Sequence, residues 1–493
     1  MNKTKKVNMT EALKVASCSV AELFANHPVK SLDGEISGKL IIPEYQRPYT
    51  WQTKELSKLL NDLLSYFKSL ANSRASHSKS IHHNYYLGSI ILHQEINENE
   101  KIKRLNIIDG QQRVTSLAIL AYWLKHKQQP KIIYNAPSSQ QQIAKNIAYL
   151  NKWLAEQHHI NFKTLKNSIN FDNINITLVV TNSEDDAYRF FETQNTGGVR
   201  LNGADIIKAH HLRATQTNIQ DNYARQWEAL GELSPLLDSI MKVRYWQAFK
   251  FKQMPSHRTP HLIKTEVVNE LAENCNNKST DNIAYRSVQH IKQDSGWLIH
   301  TPETGFAMRQ PLNSGINTID YLSYFANLKQ TLLIKDSKIA NQDDFIAFYS
   351  NELIQDTHGT AYLKRLFDTA LLLYVSQFGT SQLFEAALWL FRMVYSPRVQ
   401  NQKSVRESTI QAFVRDHHLF DIIMMSFNHQ QLVDSIREFS YKCDSNNIEE
   451  KNTKGLYITR VETYFNLKLD KKNISSTFDN ALVKGILSKL NKI

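Results

Sequence analysis

Glycine and proline are scarce in this chain, at 15 and 11 residues in 493. Such low counts argue against collagen-like, disordered and hairpin-rich β architectures and favour helices. Cysteine is scarcer still. Cys18, Cys275 and Cys443 form an odd, widely spaced set without metal-type pairing, so they read as reduced thiols rather than a disulfide framework. No run approaches the ~18 apolar residues that a membrane span needs, and no apolar segment follows the basic start Met1-Asn2-Lys3-Thr4-Lys5-Lys6. A cytoplasmic location with no membrane partner is the expectation.

What is present is length, charge and helical periodicity. Single cores stop growing near ~250–300 residues, so this length predicts two domains. A hydrophobic fraction of 42% with 22% charged residues is ordinary for a globular protein. The net charge of +12 suits a nucleic-acid partner, since Lys and Arg neutralise phosphates; it equally suits a merely basic protein.

Along the chain, Leu13, Val15, Ala16, Val20, Leu23 and Phe24 predict a first helix over residues 10–25. Gly38 to Pro43 reads as a strand, Trp51 to Leu70 as a helix, and Tyr85–His93 with Lys103–Ile108 as a hairpin. A helix from Gln111 to Lys125 follows directly, then one over Gln140 to Glu156, a strand over Asn175 to Thr181 and a helix over Glu184 to Thr193. After about Asn218 nearly every periodic stretch favours helix, Phe420–Phe439 included. The expectation is an α+β chain: residues 1–215 with a small mixed sheet, and residues 216–493 all-α.

Three segments carry chemistry. In Leu105-Asn106-Ile107-Ile108-Asp109-Gly110-Gln111-Gln112-Arg113, a strand ends at an acid, a glycine permits a sharp turn and a helix starts. Free N–H groups at that helix start favour an anion. Arg113 adds a guanidinium fork for phosphate, Gln111 and Gln112 could orient water or a ribose, and Asp109 could hold Mg²⁺ through water. The alternative is a plain junction with Asp109 as N-cap and Arg113 in a surface pair. The second segment, Ile42 to Trp51, sets Tyr45, Gln46, Arg47, Tyr49 and Trp51 in one loop: Arg47 could take phosphate and the aromatics could stack on a base, or Tyr49 and Trp51 could simply pin the loop. The third, Phe190 to Lys208, is a helix–Gly-Gly turn–helix corner with Asn195, Thr196, Asp205 and Lys208, the last two one helical turn apart: the turn could let backbone approach phosphate, but taken alone the segment reads first as a capped corner with an Asp205–Lys208 surface pair.

Taken together, Ile42 to Arg47, Asp109 to Arg113 and Phe191 to Lys208 resemble, in order and spacing, the N-terminal domain of GmrSD-type, type IV restriction systems (domain-of-unknown-function family 262), over about residues 15–215. The resemblance implies a ParB/sulfiredoxin-like fold, and binding and hydrolysis of a nucleoside triphosphate with Mg²⁺ that regulate cleavage of modified foreign DNA in anti-phage defence. Carried over, Asp109, Gln111, Gln112 and Arg113 fall on its nucleotide motif as catalytic candidates. Tyr45, Gln46, Arg47, Gly110, Ser116, Asn195, Thr196, Asp205 and Lys208 are the nucleotide-binding candidates.

Fused members of that family carry a His-Asn-His nuclease in the C-terminal half. Asp416-His417-His418 and Asn428-His429 are the nearest approach here, but their apolar surroundings read as helix and no strand pair seats a ββα-metal site, so no metal ligands are assigned. The expectation is a nuclease subunit on another chain, with DNA and nucleotide as further partners and a homo-oligomer left open. Arg392, Arg398 and Arg406 are the DNA-contact candidates, with a solvated positive face as the alternative. The competing functional reading is a non-enzymatic nucleotide or DNA sensor, and a third is a self-sufficient nuclease using His417 or His418.

Overall fold

In the computed structural model the chain is described over residues 13–75, 84–97, 102–157, 161–183, 186, 203–276, 279, 281–283, 285–292, 298–334, 339, 342–402 and 404–491. It divides into two compact units, Met1–Leu201 and Asn202–Ile493.

The first unit holds a small antiparallel ribbon, β2 (Val29–Ser31) with β3 (Gly34–Ile36), and is built on a five-stranded mixed sheet of β1 (Lys14–Ser19), β4 (Lys39–Ile41), β5 (Tyr85–Asn97), β6 (Ile102–Asp109) and β7 (Ile174–Thr181), in the order β1-β7-β5-β6-β4. Strands β1 and β7 are antiparallel, β7 and β5 parallel, β5 and β6 antiparallel, and β6 and β4 parallel. Strand β7 shows why one face is core: Ile174, Ile176, Leu178 and Val180 are fully buried while Asn175 and Thr177 between them are not. Helix α2 (Thr53–Ala75) contributes Leu56, Leu60 and Leu63 to the same core, and α3 (Gln111–Trp123) contributes Val114, Leu117 and Leu120. Helix α4 (Pro137–Glu156) packs against both.

The expected first helix is corrected. Lys14–Ser19 is a strand with Ala16 and Cys18 turned inward and Val15 outward, and only Val20–Phe24 (α1) is helical. Ser19 makes the break: its hydroxyl accepts from Glu22 N at 3.1 Å while its own N–H donates to the Glu22 carboxylate at 2.8 Å, a capping box that starts a helix there and not earlier.

The second unit is mostly helical. Its longest buried elements are the helices Ala361–Phe378 and Leu383–Gln400, the latter inaccessible along nearly its whole length. A two-stranded hairpin, Tyr285–Lys292 with Leu298–Gly305, interrupts the helices. The single helix expected over Phe420–Phe439 is two, Leu419–Met425 and His429–Glu438; Asn428 caps the second by accepting from Gln431 N at 2.9 Å. Among the described residues no helix is long and apolar enough to cross a membrane.

Candidate functional site

Strand β6 delivers Asp109 to the end of the sheet, and Gly110 turns the chain into α3 with φ of +90°, a conformation that costs glycine little. Gly110, not Asp109, is the N-cap, and it offers no side chain to the helix start. The first intrahelical bond runs from Val114 N to Gly110 O at 2.9 Å, so the N–H groups of Gln111, Gln112 and Arg113 precede the helical ladder. Asp109 pairs instead with Arg113, one turn on, at 3.3 Å; both side chains are about a quarter exposed, 24% and 27%.

Two irregularities in β5 and β6 complete this corner. Between Tyr86 and Ser89 the β5–β7 register shifts, with Gly88 at φ +116°. Leu87 O leaves the ladder there and accepts from Arg113 Nη1 at 3.4 Å. A Cβ on Gly88 would sit 2.5 Å from that same nitrogen, so the guanidinium lies against bare backbone. On the other side Ile91 pairs with Asp109 and Leu92 with Ile107, which leaves Ile108 as the extra residue of a bulge. Its carbonyl accepts from Gln46 Nε2 at 3.0 Å. Each bulge therefore releases one carbonyl to a motif side chain. Sequence reasoning missed both; the signal for the first was a glycine inside a strand pattern.

The loop after β4 is tied to α3 and α4 by buried amides and hydroxyls. Gln112 is the main tie: its Oε1 accepts from Thr50 N at 2.9 Å and Trp51 N at 3.3 Å, and its Nε2 donates to Pro48 O at 3.1 Å. Tyr49 is buried, its hydroxyl 2.8 Å from Ser116 Oγ and 3.0 Å from Asn146 Nδ2. Burial raises the pKa of that phenol, partly offset by these two hydrogen bonds, so it stays neutral. Ser116 is thus enclosed with Tyr49 and has no surface to offer a ligand. Gln111 is buried too, and its Oε1 meets no donor among the described residues. Tyr45 is buried beside half-buried Gln46 and Arg47.

The structure brings Tyr45, Gln46, Asp109, Gly110, Gln111, Gln112, Arg113 and Ser116 to one corner of the first unit. Asn195 and Thr196 lie outside the described residues. Asp205 and Lys208 belong to the second unit, on the helix Gly203–Arg213. Lys208, a nucleotide-binding candidate that could otherwise form a surface pair with Asp205, is not on the surface: it is buried and donates to Glu228 at 3.2 Å. Burial lowers its pKa, and Glu228 opposes that.

The DNA-contact expectation for Arg392 and Arg398 is corrected as well. Arg392 is 2% exposed; its Nε and Nη2 each lie 2.7 Å from the Asp479 carboxylate, and Nη1 donates to Ile436 O. Arg398 is 1% exposed and donates to Gly359 O. Neither guanidinium can reach a duplex. Arg406 is exposed at the start of the helix Glu407–His417. Of the histidines, His417 ends that helix between the rings of Phe413 and Phe439, and His429 is buried between Tyr374 and Glu385. Among the described residues no group of three or more His, Cys, Asp or Glu side chains could hold a metal ion.

Residues 29–212 match the GmrSD restriction endonuclease, N-terminal domain. That region is similar to the N-terminal domain of GmrSD-type systems. The tied loop, the bulged strands and the Asp109–Arg113 turn all fall inside it, and the match supports a restriction-system component. Residues 219–452, beyond the GmrSD domain, match a family of unknown function, DUF7834. No curated protein matches the chain in sequence.

Proposed function

We propose that the chain is a cytoplasmic regulatory component of a modified-DNA-directed anti-phage restriction system, and that its GmrSD domain binds and hydrolyses a nucleoside triphosphate. The observation that carries the reading is the Arg113 guanidinium, held by Leu87 O and Asp109 over the bare backbone of Gly88 beside a helix start with three N–H groups ahead of its ladder. A fixed fork, close-approaching backbone and the positive end of a helix together suit phosphate. The buried Gln111 oxygen, facing no donor among the described residues, is a second sign of a polar ligand at this corner. Asp109 would hold Mg²⁺, which keeps several waters and needs one or two carboxylates; bound there it would neutralise phosphate charge. On the loop side Gln46 is bonded to Ile108 O, and half-buried Arg47 beside it is the candidate for a further phosphate contact. Cleavage of DNA falls to a His-Asn-His nuclease on another chain.

A second reading is a sensor that binds nucleotide without turnover. The tie made by Gln112 favours it, because both ends of that amide are engaged by loop backbone and neither is left for an attacking water. Calorimetric titration of the full chain with ATP and GTP, followed by phosphate release, tests both. Saturable binding lost in Arg113→Ala supports the site, and turnover separates enzyme from sensor. Equal binding by wild type and Arg113→Ala would sink the assignment.

A further inference from the structure

Helix α3 has a second face. Tyr122 lies nine residues beyond Arg113, which at about 100° and 1.5 Å per residue places it on the opposite side of the helix, roughly 13 Å along the axis. There a cleft of about 290 Å³ opens between α3, α4 and the loop that joins them, lined by Tyr122, Tyr134, Gln129, Pro130, Ile143 and Ile147 among others. It lies at the small end of the ~300–1,000 Å³ usual for ligand pockets, room for a single ring system. Tyr122 is 60% exposed, an unusual position for a tyrosine at the mouth of an apolar cleft.

The stretch of chain that builds the cleft carries charge of one sign. Between Asp109 and Glu156 the sequence holds no acidic residue, against Arg113, Lys125, Lys127, Lys131, Lys145 and Lys152. Lys125, Lys127 and Lys131 are exposed on the loop that forms one wall, and Lys145 is exposed on α4 between the lining residues Ile143 and Ile147. Glu44 brings a carboxylate to this loop, accepting from Asn135 Nδ2 at 2.7 Å. An exposed aromatic beside an apolar slot, ringed by lysines, is the combination that holds a strand by its phosphates and stacks one base. An apolar segment of a protein partner would have no use for the lysines.

We propose that this face binds a nucleic-acid strand, with Lys125, Lys127 and Lys131 on the phosphates and one unstacked base in the cleft against Tyr122. The inference rests on the DNA-directed reading above but not on the nucleotide site across the helix.

The test is fluorescence anisotropy of the full chain with a labelled mixed-sequence single-stranded oligonucleotide and its duplex, across a salt series. Tighter binding of the single strand is expected, weakened about tenfold by Tyr122→Ala and retained by Tyr122→Trp. Replacing the three loop lysines by glutamate should weaken binding and flatten the dependence of log K on log salt by about 2. Loss in the lysine variant alone overturns the base in the cleft. Displacement of the strand by a modest excess of free mononucleotide overturns the strand as the occupant. Absence of binding by the wild type overturns the proposal outright, even where nucleotide binding and its loss in Arg113→Ala hold. Conversely, strand binding that needs Tyr122 stands if the nucleotide site fails.

Discussion

Replacing Gln112 by alanine separates a loop tie from a catalytic group. The amide makes three bonds to the backbone of residues 48–51, at 2.9, 3.3 and 3.1 Å, and the side chain is 7% exposed. Each bond contributes about 1 kcal/mol net, and a buried partner left bare costs about 1–3 kcal/mol. Thr50 is exposed, so water recovers part of the loss at its N–H. The local cost is therefore about 2–4 kcal/mol, concentrated in the loop and not spread over the unit. Hydrogen–deuterium exchange reads this directly, because the amides of Thr50 and Trp51 are the donors. At about 1.4 kcal/mol per decade, their exchange should speed by at least about tenfold in Gln112→Ala. Arg113→Ala, which removes a partly exposed pair worth about 0–1 kcal/mol and the bond to Leu87 O, neither of them to the loop, should leave those amides protected. Unchanged protection at Thr50 and Trp51 in Gln112→Ala, with nucleotide turnover abolished, would refute the tie and return Gln112 to the chemistry.

Gly88→Ala should cost about 1–3 kcal/mol in thermal unfolding from its φ alone and lower nucleotide affinity in titration by displacing Arg113; affinity equal to wild type would show that the bulge does not seat the guanidinium. Arg392→Ala leaves the Asp479 carboxylate buried without its partner, so a loss of about 3–5 kcal/mol is expected in denaturant unfolding, with DNA affinity per folded molecule unchanged. Stability should also fall on acidification through His211. Burial, reinforced by neighbouring His210, pushes its pKa down to about 3, and the neutral ring sits with Nε2 on Leu271 O and Nδ1 accepting from Gly315 N. Between that value and the ordinary ~6.5 of an unfolded histidine the unfolded chain binds the extra proton, so this group costs up to about 1.4 kcal/mol per pH unit as pH drops below ~6.5. Unfolding measured at pH 7 and pH 5 should show the slope in wild type and a shallower one in His211→Gln; equal slopes would place the acid sensitivity elsewhere.

Where a segment's own periodicity decides its state, the sequence was enough. The hairpin of β5 and β6, the helices α2, α3 and α4 and strand β7 follow from alternation or a 3.6-residue repeat that the core enforces. Lys14–Ser19 did not, because its apolar residues satisfy the helical and the alternating pattern at once when joined to Val20–Phe24. The deciding feature was Ser19 with Glu22 three residues on, a local stop that periodicity ignores. Asn428 divided the later helix in the same way. The bulges at Gly88 and Ile108 depend on which strand lies alongside, and pairing partners are not written in either strand.

The site followed the same division between local and distant causes. Asp109 and Arg113 are one helical turn apart, so their pairing could be read from spacing alone. Gln111 and Gln112 are chemically identical and adjacent, and only their angular offset of about 100° on α3 sends one into the protein and the other into the loop. The buried arginines show the converse. Arg392 meets Asp479 across 87 residues of sequence, a separation at which no pattern of charges announces a partner. A count of positive residues therefore overstates the positive surface wherever cations are matched internally. It understates the surface wherever a long acid-free stretch, such as the one from Gly110 to Ala155, leaves its lysines facing solvent. The contrast separates the second unit, where Arg392 and Arg398 are enclosed, from the first, where the lysines between Gly110 and Ala155 are not, and it is why the proposed strand-binding face lies in the first unit.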